Sequence, residues 1–182
     1  MPLSLTTRKE TVRLVVRDTN QKHLIKNTVT NAGGNDMLVM GVDPGKTGAI
    51  ACIDDGILKW VLPFKGDIDL CRKIGYRGVT YFIERVTASP QMGVVSAFTF
   101  GKWAEAVECS AILSDSPVHM VRPQVWQNAI GVYSQGDKSK LYEHAKRLFP
   151  EQYVEKKFNK DTSDSVLIAY YGWRYLVNQE EE

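Results

Sequence analysis

The sequence predicts an α/β layered domain, in which an antiparallel meander of three strands feeds two further strands that alternate with helices. Two observations carry this. Three apolar runs between residues 38 and 64 are too short for helices and are separated by turn-forming residues. Beyond residue 78, short apolar runs alternate with long amphipathic ones, as strands do with the helices that cover them. At 182 residues, 43% hydrophobic and 24% charged, the chain can bury one substantial core. No run approaches the roughly 20 apolar residues of a membrane span, so no membrane partner is expected. No apolar stretch follows the N-terminal charges, so no secretory signal is expected either.

Residues 1–36 stand apart. They carry six Lys/Arg (Arg8, Lys9, Arg13, Arg17, Lys22, Lys26) against three acids and close with Asn31-Ala-Gly-Gly-Asn-Asp36. This composition predicts a flexible basic arm on a Gly-Gly linker, with Thr11–Val16 as a run able to pair as a short strand. Residues 37–182 form the predicted domain and hold 17 Lys/Arg against 18 Asp/Glu. Nucleic-acid binding there would need local basic patches around an acidic site. Cys52, Cys71 and Cys109 lack metal-ligand spacing and are expected to be buried free thiols in a reducing compartment, with no zinc site.

Leu38–Val42 reads as the first core strand and delivers Asp43 to its end, where Pro44 and Gly45 turn the chain. Thr47–Asp54 alternates small and apolar residues as a second strand. Asp54-Asp55-Gly56 has hairpin-turn composition, which makes its aspartates exposed turn residues in preference to metal ligands. Ile57–Phe64 is the third strand, Asp67–Ile74 a short helix, and Gly78–Glu84 a fourth strand that again ends on an acid. In Gly93–Leu113, the longest helix, apolar residues cover more than one face, which predicts contact with the sheet and with something else, such as a second subunit. Pro117–Arg122 is the fifth strand, Pro123 opens a helix, and Lys138–Phe149 is a charged amphipathic helix. The last helix is expected to start near Asp161 and run to about Asn178.

The chemistry lies in acids placed at the edges of apolar elements. A carboxylate at the end of a buried strand is costly unless positive charge meets it. Asp161 and Asp164, three apart, would project from one helical face, although such a pair taken alone is more often a cap than a site. Alongside Asp43 and Glu84 the balance shifts. Four acids would repel one another unless they share metal ions, and ligation by oxygen alone favours Mg²⁺ or Mn²⁺. Two such ions about 4 Å apart can activate water and stabilise the leaving oxygen of a phosphodiester.

Gly41-Val-Asp43-Pro-Gly-Lys-Thr-Gly48, Ile83-Glu84 and Lys160-Asp161-Thr-Ser-Asp164-Ser resemble, in order and context, the acidic motifs of RuvC-like Holliday junction resolvases in the RNase H-like superfamily. Ser96-Ala-Phe-Thr-Phe-Gly101 and Val121-Arg-Pro-Gln-Val-Trp126 are similar to the phage-type branch. The resemblance spans residues 38–177 and implies an RNase H-like fold with a five-stranded mixed sheet flanked by helices. It implies a homodimer that nicks opposing strands of a four-way DNA junction, leaving 5′-phosphate and 3′-hydroxyl ends. Asp43, Glu84, Asp161 and Asp164 would be the catalytic metal-binding residues, with two Mg²⁺ or Mn²⁺ ions per active site. Lys138 and Lys140 fall where the family places basic residues near the phosphate backbone, and Lys46, Arg85 and Arg122 are further DNA-binding candidates. The site of work would be the bacterial cytoplasm, with a phage-encoded origin. One departure is that Arg85-Val-Thr87 stands where cellular members often carry an aromatic residue after the strand glutamate.

Rival readings are weaker. A P-loop would need glycine at position 40, which is Met40, so no nucleotide cofactor is expected. An actin-like or sugar-kinase phosphate site would require a second similar domain. A module that binds branched DNA without cutting it stays open. His23, His119 and His144 read as surface or packing residues, with His144 the candidate for an assisting base. Trp60, Trp103, Trp126 and Trp173 read chiefly as core or dimer anchors, with base stacking an alternative for Trp126.

Overall fold

Paired strands form in each of two units of the chain, Met1–Asp36 and Met37–Glu182. The computed structural model describes residues 12–15, 26–29, 37–45, 47–64, 78–88, 90–151 and 158–180. In the first unit β1 (Val12–Val15) pairs antiparallel with β2 (Lys26–Val29), Val12 opposite Val29. The expected helix over Asp67–Ile74, together with Lys46, Cys71 and His23, lies outside the described residues.

The second unit is built on a five-stranded mixed sheet in the order β5-β4-β3-β6-β7. β3 (Leu38–Asp43), β4 (Ala49–Asp54) and β5 (Ile57–Pro63) form the antiparallel meander. β6 (Thr80–Glu84) and β7 (Val118–Val121) continue it in parallel. β3 is buried along its whole length, as befits a central strand covered on both faces. The β4–β5 turn runs through Asp55 and Gly56 at positive φ (47° and 75°), the twist that a two-residue hairpin loop favours.

Alternation along the strands sorts the core into two layers. Met40, Val42, Tyr81 and Ile83 face one way, onto a stripe of α1 (Val94–Ile112). That stripe is Trp103, Val107 and Ala111, spaced four apart as one helical face requires. Much of the helix's remaining apolar surface is open: Val94, Val95 and Phe98 are 85%, 80% and 73% exposed. The sheet therefore takes one face of α1, and the breadth expected from the sequence is exposed surface.

On the opposite face Val39, Ala51, Phe82 and Val121 pack with α2 (Pro123–Ala129), α3 (Lys138–Leu148) and α4 (Ser163–Glu180). α4 crosses β3, β4 and β6, and Ser163–Ala169 are all buried. Its backbone lies directly on the sheet at two glycines. A Cβ on Gly41 would overlap the backbone of Ala169 and Ser165, and one on Gly172 would enter the Phe82 ring. A glycine inside a strand often marks such a close approach.

Candidate active site

The ladder register aligns the acids. β3 and β6 run parallel with Val42 opposite Ile83, so Asp43 and Glu84, the next residue on each strand, end side by side. Gly41 and Phe82 both lie under α4, and two residues further on Asp43 and Glu84 face the same side. Asp164 sits in the first turn of α4, immediately before Ser165, whose carbonyl meets Gly41. The geometry thus brings Asp43, Glu84 and Asp164 to one end of the sheet beneath one helix start.

Asp161 arrives differently. α4 begins at Ser163, close to the start expected near Asp161, and Asp161 itself lies in the turn just ahead of it. That turn is organised by Asn159, whose Oδ1 accepts from the backbone N–H groups of Asp161 (2.9 Å) and Thr162 (3.2 Å). Asparagine does the local capping there, which frees Asp164 from that task. Asp161 is exposed at the rim, and its charge still raises the pKa of Asp43.

Burial, above all, lifts the carboxylates. Asp43 is 9% exposed, and desolvation raises its pKa against the Gly45 N–H, which donates to Oδ1 at 3.1 Å, and against Lys138. Burial and then the Asp43 charge push Glu84 up to about 7, partly opposed by Trp126, whose Nε1 donates to Oε1 at 3.0 Å. Asp164 rises to about 6 through burial and Asp43, with Lys138 opposing. Among the described residues Lys138 is the cation of the cluster, 3.6 Å from Asp164. Burial works against its charge, but the attraction of Asp164, Asp43 and Asp161 outweighs it and its pKa rises.

Helix packing delivers that lysine. Asp137 caps α3 by accepting from Ser139 N–H at 2.9 Å, and Lys160 donates to Ser139 Oγ at 2.9 Å. The start of α3 is thereby tied to the turn ahead of α4, and Lys138, the first residue of α3, reaches Asp164. Lys140 is exposed two residues on. Arg85 and Arg122 follow the ends of β6 and β7 and line an open cleft of about 430 Å³ together with Glu84 and Phe100.

Trp126 is fully buried, so base stacking by this residue is ruled out and its role is to hold Glu84. Sequence reasoning missed that pairing, although a tryptophan opening a short helix just after the strand beside Glu84 was the available signal. His144 bonds to the Ile130 carbonyl and neighbours Arg147, and its pKa is lowered chiefly by burial. None of the four acids is among the groups that shift it. Cys109 is exposed beside Glu105, against the expectation of a buried thiol, whereas Cys52 is buried as expected. Asp54, the last residue of β4 before the turn, is paired with Lys59 at 3.3 Å.

As placed, no three His, Cys, Asp or Glu side chains among the described residues stand close enough to ligate one ion. The donor chemistry nonetheless fits a hard divalent cation. Among the described residues three largely buried carboxylates face a single ammonium, and burial and mutual repulsion hold them toward protonation.

Comparison with solved structures places the architecture. Thermus thermophilus RuvC in complex with Holliday junction substrate aligns over 78% of this chain and 96% of its own, with a TM-score of 0.60 and 17% identity. The fold is that of RuvC. A second Thermus thermophilus RuvC structure gives a TM-score of 0.55 at 18% identity, covering 78% of this chain and 97% of that one. No protein-family model and no curated protein matches the sequence. The RuvC-like, RNase H-like α/β fold is as expected, with the five-stranded mixed sheet flanked by helices.

Proposed function

We propose that the chain is a divalent-metal-dependent endonuclease that nicks branched DNA, four-way junctions foremost. One observation carries the reading: on a RuvC fold, Asp43, Glu84 and Asp164 end on one face with their pKa values raised by burial and by each other. Such a cluster is unfavourable without cations, and clusters of strongly perturbed groups mark functional sites. Asp43, Glu84 and Asp164, joined by Asp161 from the rim turn, would hold two Mg²⁺ or Mn²⁺ ions. Bound there, the ions supply Lewis-acid activation of water and charge neutralisation at the leaving oxygen.

The chain's own residues set up the rest. The Gly45 N–H and the Trp126 indole each fix one carboxylate in place. Lys138 keeps positive charge beside Asp164, and Lys140, Arg85 and Arg122, with Lys46, bind the phosphate backbone. Such contacts make binding salt-dependent. The open face of Val94, Val95 and Phe98 on α1 supports a homodimer, whose two sites would act on opposing strands. Work in a bacterial cytoplasm, for a phage-encoded protein, follows the resemblance of the motifs.

The test is strand nicking of a synthetic four-way junction in Mg²⁺, with Asp43→Asn alongside. The expected result is symmetric nicks with 5′-phosphate ends for the wild type and none for the variant. Binding without nicking by the wild type would select the non-cleaving module, and 3′-phosphate ends would exclude this chemistry.

A further inference from the structure

β7 is an edge strand, and an open groove of about 510 Å³ runs beside it on the α4 face. His119 lies flat on Phe82, ring centroids 4.6 Å apart and planes within 12°. From α4, Tyr171 and Tyr175 meet Phe82 edge-on at 5.9 and 5.8 Å, and Tyr175 stands 5.8 Å from the His119 ring. Core packing accounts for Phe82, which is 1% exposed. It does not account for Tyr175, 39% exposed, or for Val125 of α2, 49% exposed, which lines the same groove.

The electrostatics of the groove are one-sided. Among the described residues no acid lines it, and Arg85 and Arg122 do. Among the described residues neither guanidinium has an acidic partner. The same two arginines line the cleft that contains Glu84, so groove and cleft adjoin. The ladder fixes this adjacency: Glu84 pairs with Val121, and Arg85 and Arg122 are the next residue on each strand. The Arg85 N–H also donates to the Val121 carbonyl at 2.7 Å.

Open rings beside guanidinium groups that have no acidic partner among the described residues suit a ligand with a flat π face and a negative charge, which is a nucleotide. Bases inside a duplex hide their faces in the stack, whereas a branch point exposes them. We infer that the β7 groove holds an unpaired base of the DNA next to the scissile position, stacked on Tyr175 and His119 with its phosphate on Arg85 and Arg122. This rests on the nuclease reading for its substrate, but its stacking chemistry is separable. A peptide strand added to the open β7 edge is the competing occupant, and it would draw on backbone groups more than on the rings.

The test uses the full chain in chelator, with a four-way junction carrying 2-aminopurine at an unpaired nucleotide beside the crossover and a linear duplex as control. Wild type should quench the probe on the junction and not on the duplex. Tyr175→Ala and His119→Leu should each weaken junction binding on the order of tenfold and reduce the quench, while Tyr175→Phe stays within about twofold. The two positions lie on different elements, so a folding defect in one variant leaves the other to decide. Unchanged affinity and quench in the variants that fold, or equal quench on duplex and junction, would overturn the groove. Asp54→Asn, outside the site, should bind and quench as wild type does. If wild type fails to nick in Mg²⁺ yet still quenches, the nuclease reading falls and the groove survives.

Discussion

At one end of the sheet the β4–β5 turn carries Asp54 and Asp55, and at the other β3 and β6 stop at Asp43 and Glu84. In the sequence each set follows an apolar run, and only the Asp-Asp-Gly turn composition marks the first as hairpin residues. In the structure Asp55 is exposed and Asp54 pairs with Lys59, so water and a partner cover the charge. Asp43 and Glu84 are roofed by α4, which adds a third acid and receives one lysine from α3. An acid at a strand end is therefore no signal by itself. Burial combined with unmatched like charge is the signal, and it depends on which helix covers which end.

The largest expected effect separates the two ends by activity. Asp43→Asn should lower metal-dependent nicking on the order of a thousandfold or more, as removal of a group that organises transition-state charge does, while Asp54→Asn leaves the rate within about twofold. Rate measurements on the same junction check both. Next is the close approach that roofs the site. Gly41→Ala should destabilise by about 3 kcal/mol or more, because its Cβ meets helix backbone that cannot move aside. Gly101→Ala on α1, where nothing lies within 4 Å, should stabilise by about 0.5–1 kcal/mol. Urea midpoints report the pair.

How much of this was legible in the sequence follows the same division. The strands, the α1 stripe and the acids at strand ends were readable because they rest on local periodicity and short turns. Asp164 was readable because it directly precedes an apolar run. The turn ahead of α4 was less legible, because Asn159, two residues before Asp161, takes the capping that either aspartate could have done. The Trp126 bond to Glu84 and the reach of Lys138 to Asp164 join elements far apart in the chain, so no local pattern encodes them. Cys109 was misread because the exposed part of α1 is as apolar as the part that packs.

The pH dependence of metal-free stability is the next smaller effect. Glu84 and Asp164 have folded pKa values raised to about 7 and about 6, so the folded state binds more protons than the unfolded one between pH 4 and 7. Their contribution is fully present below the unfolded pKa and is lost as pH rises through the folded value. The metal-free protein should lose on the order of 2 kcal/mol from these groups between pH 5 and 8, and Glu84→Gln should flatten that slope. Melts across pH in chelator measure it, and a rise over that window would contradict the cluster. Smaller still, Trp126→Phe removes the indole donor and should move the titration of Glu84 further upward, read by carboxyl NMR. At the turn, Asp54→Asn should change stability by only about 0.5 kcal/mol, the usual worth of an exposed pair.

Calorimetric titration of the full chain with Mn²⁺ at pH 6.5, in two buffers of different ionisation enthalpy, tests the central claim most directly. Saturable binding accompanied by proton release is the predicted result, because ions entering the cluster must displace protons that burial holds on Glu84 and Asp164. Both the binding and the release should be lost in Asp43→Asn and kept in Asp54→Asn. Identical titrations for wild type and Asp43→Asn, or binding that releases no protons, would contradict a shared cation site at this end of the sheet.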